Sequence, residues 1–137
     1  MKVYLLRSSK IAQVNMSYKY AFYIHHHWAG HMTRTLAIAA QLPPSEVVFF
    51  GSSLETFKEL ITQDITWIQL PLDIPNDNDR DWTASEMSFL HYAPIKVKGI
   101  VERNNLITEF FAKHHQCLLI VDVSVEITLL ARLCGIP

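Results

Sequence analysis

The run Glu46 to Gly51 (Glu-Val-Val-Phe-Phe-Gly) contains four consecutive apolar residues with nothing polar between them. A strand with one face in water alternates apolar and polar residues, so a run without alternation is read as a strand buried on both faces, as in a parallel sheet covered by helices. Leu118 to Val123 (Leu-Leu-Ile-Val-Asp-Val) reads as another buried strand that ends in an acid. Tyr20 to His26 (Tyr-Ala-Phe-Tyr-Ile-His-His), rich in aromatic and β-branched residues, and Ile65 to Leu70 supply two more.

Helix signals fall between these strands. Thr33 to Leu42 is rich in good helix formers and stops at Pro43 and Pro44. Ser53 is a plausible N-cap for a helix from Leu54 to Ile61, and Thr83-x-x-Glu86 looks like a capping box after the polar loop Pro71 to Asp81. Ile95 to His115 fits one long helix with a 3.6-residue apolar period, weakened at its start by Gly99, and Ser124 to Leu133 fits another closed by Gly135. The expected fold is α/β: a Rossmann-like three-layer domain with a mostly parallel sheet, the Tyr20 strand lying between the Glu46 and Leu118 strands. Such sheets bind ligands beyond the carboxyl ends of their strands, where the strand order reverses.

At 137 residues, half of them apolar, the chain can bury one core, and residues 16–137 are expected to form one domain with residues 1–15 as an N-terminal extension. A net charge of -1 offers no basic field for nucleic acid. The most apolar stretch, Cys117 to Leu133, is interrupted by Asp122, Glu126 and Arg132, and the first residues lack a secretory pattern, so a cytoplasmic protein without a transmembrane segment is expected. Cys117 and Cys134 read as packed, reduced thiols.

Two features sit at strand ends: His25 to Arg34 (His-His-His-Trp-Ala-Gly-His-Met-Thr-Arg) and Asp122. His31 falls at a helix start, where unpaired N–H groups favour an anion, and Gly30 lets the backbone approach a ligand. An imidazole there can act as a general base if a carboxylate holds its other nitrogen, and Asp122 is the candidate.

Gly30-His31-x-x-Arg34 directly after a first buried strand resembles the Gly-His-x-x-Arg or Gly-His-x-x-Pro turn of GT-B glycosyltransferases. The bacterial N-acetylglucosaminyl transferase of lipid II synthesis and the plant and bacterial UDP-glycosyltransferases share that turn. Leu119 to Asp122 followed by Ala131-Arg132-x-x-Gly135-Ile136-Pro137 is similar to the end of the same N-terminal domains. The resemblance runs from about Tyr20 to Pro137. It implies the acceptor-side half of an inverting nucleotide-sugar glycosyltransferase, with His31 as the base and Asp122 as the group that orients it. The family turn usually has Gly where Trp28 stands, so the acceptor is not implied.

The candidate acceptor-binding residues are His27, Trp28, Gly30, Thr33, Arg34 and Trp82. Arg34, one turn beyond His31, is expected to meet a phosphate or acceptor carboxylate, or a neighbouring acid. Trp82, Phe89, His91 and Tyr92 either line an acceptor lip or anchor their loop. No metal site is expected: on a strand His25 and His27 point to one face and His26 to the other, and the turn breaks the i, i+4 relation of His27 to His31. His114 and His115 read as partners of a helix C-terminus.

The resemblance further implies that no cofactor or metal is needed and that a nucleotide sugar and an acceptor are the co-substrates. A C-terminal donor-binding domain or separate subunit, as in the bipartite eukaryotic dolichol-linked transferase, then holds the nucleotide. Alone, the chain is expected to be inactive, whether fragment, truncated product or subunit, and to self-associate through the uncovered surface. The alternative expectation is a stand-alone Rossmann-like module that binds a small anionic ligand without catalysis. Gly30 alone is a poor phosphate loop for that role, since there is neither G-x-G-x-x-G nor a Walker Lys.

Overall fold

The structure, a computed structural model, describes residues 18–27, 29–62, 64–74 and 97–137. The extension at residues 1–15, Trp28, Trp82 and the loop and capping box assigned to the segment after Pro71 lie at or largely within the positions outside that set. Four strands are described: β1 (Tyr20–Ile24), β2 (Val47–Gly51), β3 (Thr66–Gln69) and β4 (Leu118–Val121). They form one all-parallel sheet in the order β3-β2-β1-β4. The register runs from Tyr20 opposite Val47 and Leu118 to Tyr23 opposite Phe50 and Val121. All four strands therefore end at the same side, with β1 and β2 in the middle.

The two-faced burial read from the sequence is what the core shows. Ala21, Tyr23, Val48 and Phe50 face one cluster with Ile107, Phe110 and Phe111 of helix α2 (Lys98–Lys113) and Ile127 and Ala131 of helix α3 (Val125–Leu133). Phe22, Ile24, Val47 and Phe49 face the opposite cluster with Met32 and Ala39 of helix α1 (Ala29–Ala39) and with Leu54 and Ile61. Successive residues of one strand serve opposite layers because side chains alternate across a pleated backbone. Burying such side chains contributes roughly 1.5–3 kcal/mol each against the entropy of ordering the chain.

Three boundaries differ from expectation. β1 ends at Ile24, where its ladder partner Gly51 ends β2, so His25 to His27 lie past the strand in a bend. α1 begins at Ala29 rather than Thr33, which places Gly30 and His31 inside the first turn. The segment after Ser53 is a 3-10 turn over Leu54–Phe57 followed by further turns, not an α-helix. Its backbone bonds run i to i+3, as from Leu60 N–H to the Phe57 carbonyl, and Ser53 makes no side-chain cap. Leu54 and Ile61 are buried while Leu60 is exposed, so the segment anchors at its two ends and lacks the continuous stripe that stabilises a helix.

Gly51 is fixed by contact, since a Cβ there would lie 2.9 Å from the Ile24 carbonyl oxygen and 3.2 Å from the Leu54 side chain. Gly135 closes α3 in the left-handed region at φ 75°, which lets Ile136 bury and the Pro137 carbonyl accept the Leu119 N–H at 3.0 Å. Cys117 is fully buried, Cys134 is partly buried against the same core, and both are free thiols. Among the described residues no helix is long and apolar enough to cross a membrane.

Candidate functional site

His31 is the third residue of α1, which leaves the carboxyl end of β1 after a short bend. Asp122 follows β4 immediately, one residue past the last register pair of Tyr23 with Val121. Parallel pairing of β1 with β4 is thus what brings two residues 91 positions apart to the same end of the sheet. His31 Nδ1 and Asp122 Oδ2 are 2.5 Å apart. With the imidazole donating Nδ1–H to the carboxylate, the lone pair resides on Nε2, the tautomer that a base at this position requires.

Arg34 shares the carboxylate. Its Nη1 donates to Asp122 Oδ1 and Oδ2, each at 2.6 Å. His31 and Arg34 reach one acid because three residues along a helix return to nearly the same face. Of the partners open to Arg34 in the sequence, the neighbouring acid is the one it meets. The hydrogen bond from His31 chiefly, then that from Arg34 and the charge of both, hold the Asp122 carboxyl below its ordinary range despite some desolvation.

The other candidate residues divide. Gly30 is exposed and a Cβ there would meet nothing within 4 Å, so the backbone of the first turn is open on that side. α1 has no acidic residue in its first turn, leaving its amino end uncompensated by its own sequence. Thr33 instead spends its hydroxyl on the Ala29 carbonyl at 3.0 Å, a bond within the helix. His27 is exposed and lies against His25, with the two Nδ1 atoms 3.3 Å apart.

The strand-face argument about the histidines does not hold, because the strand has ended before them. Their rings cluster: centroids are 4.7 Å apart for His25 and His26, 4.8 Å for His25 and His27, and 4.0 Å for His26 and His27. Burial pushes the imidazoles of His25 and His26 below their ordinary titration range, against the opposing pull of Asp73. At the far end of α2, His114 is also pushed down, by burial and then by Lys113, so it stays neutral near pH 7. Ring packing on Phe110 at 4.4 Å and Tyr18 at 5.0 Å replaces the charge–dipole role expected of it.

A buried polar network beneath this end of the sheet was not foreseen. Arg103 of α2 is 3 % exposed, ion-paired with Asp73, hydrogen-bonded to the Tyr23 hydroxyl, and 3.4 Å from Ser52 Oγ. Burial raises the Tyr23 phenol to about 12, so it remains a neutral acceptor for the guanidinium. The signal was present in the spacing: Arg103 stands four residues before Ile107 and seven before Phe110, on the inward stripe of α2. A charged residue on such a stripe demands a partner.

Compared with family models, curated proteins and solved structures, the chain matches none.

Proposed function

We propose that this chain is the acceptor-side half of an inverting nucleotide-sugar glycosyltransferase of GT-B type, with His31 as the general base. The observation that carries this reading is the 2.5 Å contact of His31 Nδ1 with Asp122 at the carboxyl ends of adjacent parallel strands. His31 Nε2 takes the proton of an acceptor hydroxyl as its oxygen attacks the anomeric carbon. The bond from that carbon to the nucleoside diphosphate breaks on the opposite face, and the diphosphate leaves with the electron pair. Asp122 keeps the imidazole in the Nδ1–H tautomer and stabilises the imidazolium, while Arg34 positions Asp122. Charge developing on the diphosphate needs preorganised donors. These come from a donor-binding domain or subunit in this proposal.

The surface of α3 supports a partner of that kind. Val125, Leu129 and Leu133 recur every four residues on its outer side and are 70 %, 57 % and 85 % exposed, with Leu118 of β4 nearby in sequence and also exposed. A row of exposed apolar side chains on one helix face is characteristic of an interaction surface. The test mixes the purified chain with nucleotide sugars and a panel of hydroxyl acceptors, with and without the donor-binding half supplied in cis or in trans. Turnover only on complementation, with inversion at the anomeric carbon, is expected. Robust transfer by the chain alone would contradict the half-enzyme reading. Tight binding of a small anion without turnover under either condition would favour the non-catalytic module.

A further inference from the structure

We propose that His25, His26 and His27 form a three-histidine zinc site at the end of β1, distinct from the His31–Asp122 pair. One candidate ligand nitrogen from each ring lies within 4.8 Å of the others. Zinc binds imidazole nitrogen at about 2.0–2.1 Å, so two ligands at a tetrahedral angle stand roughly 3.3–3.4 Å apart. The Nδ1 atoms of His25 and His27 are already 3.3 Å apart. His25 Nδ1 also accepts the His27 backbone N–H at 3.3 Å, so its lone pair is directed at that amide. A metal–nitrogen bond would replace that long contact.

His26 completes the set through its other side. Its Nδ1 faces Asp73 Oδ1 at 3.5 Å, and both atoms are buried without a hydrogen-bond partner among the described residues. The two unsatisfied atoms face each other. Zinc-ligating histidines ordinarily direct their second nitrogen at a carboxylate, which fixes the ring and raises its basicity. A shift of a few tenths of an ångström would turn the His26–Asp73 contact into that hydrogen bond, leaving Nε2 for the metal. Arg103 holds Asp73 from below. Three protein ligands leave a fourth position for water or an incoming oxygen atom.

The test uses the tag-free chain, metal-stripped, titrated with Zn2+ against a chromophoric chelator, and with Co2+ read by visible absorption. One equivalent of zinc and the intense spectrum of four-coordinate cobalt are expected. His26→Gln and the exposed His27→Gln should each abolish competition with the chelator, with folding checked by circular dichroism. Asp73→Asn should weaken binding by about 10–100-fold. His31→Ala should leave zinc binding intact, which separates this site from the proposed base. Absence of stoichiometric zinc overturns the proposal. So does undiminished binding by His27→Gln, which keeps the test decisive even if His26→Gln fails to fold, or equal loss in His31→Ala.

Discussion

The guanidinium carbon of Arg103 lies 5.4 Å from the ring centroid of Tyr23, and the same guanidinium donates to that residue's hydroxyl, tying α2 to the central strand β1 by its polar edge and its ring at once. Arg103 also pairs with Asp73, whose side chain is 14 % exposed. Truncating one partner of such a pair strands the other, so Arg103→Ala should cost about 3–5 kcal/mol in urea unfolding. Arg103→Met combined with Asp73→Leu should recover most of that loss, because an apolar pair carries no desolvation penalty.

His31→Ala, introduced into the complete two-part enzyme, should lower kcat by about 10²–10⁴-fold with little change in KM, as expected when a base acts only in the transition state. Asp122→Asn should also lower kcat, because an amide oxygen holds the ring without stabilising the imidazolium. Steady-state kinetics on matched preparations check both. An unaltered rate in His31→Ala removes the base assignment.

The carboxyl of Asp122 titrates below its ordinary value in the folded chain, chiefly through the hydrogen bond from His31. The unfolded chain therefore takes up this proton first as acid is added. The stabilisation is complete above the unfolded value of about 3.9 and is lost as pH falls through the folded one. Urea midpoints measured between about pH 5 and about pH 2 should fall less steeply for Asp122→Asn than for the natural sequence. Arg34→Ala should raise the Asp122 titration, followed by carboxyl carbon NMR, because Arg34 contributes part of the depression.

The row Val125, Leu129 and Leu133 should make the isolated chain associate with itself as concentration rises. Leu129→Glu with Leu133→Glu should leave the fold intact, both side chains being exposed, and shift sedimentation to the monomer. Monomeric behaviour of the natural chain at high concentration would argue against an interaction surface on α3.

The arrangement of strands was legible because it depends on local pattern, whereas His31 and Asp122 stood out only by their places at two strand ends and by the resemblance of the turn, since the contact between them spans 91 positions. Val47 to Phe50 contain no polar residue, Gly135 closes α3, and an acid ends the β4 run. The Leu54 to Ile61 segment misled because its apolar residues fit a helical stripe, yet only its two ends reach the core. Whether a stripe finds something to pack on is a tertiary fact. The histidine cluster was missed through a boundary error of two residues. Had β1 continued to His26, alternation would have separated the rings, and its end at Ile24 is set by the length of the β2 partner. Arg103 needed Asp73, thirty positions away, to make sense of a cation on an inward helix face.

β1 meets β2 after a single crossover through α1, whereas it meets β4 only across nearly the whole domain. Closing a longer loop adds little to the entropic cost at equilibrium, but non-local pairing slows the search for it. His31 belongs to the early crossover and Asp122 to the strand that arrives from the far end of the sequence. An incompletely folded chain lacking β4 has its imidazole in place but no carboxylate to orient it, so the proposed chemistry switches on only when the last edge of the sheet has docked.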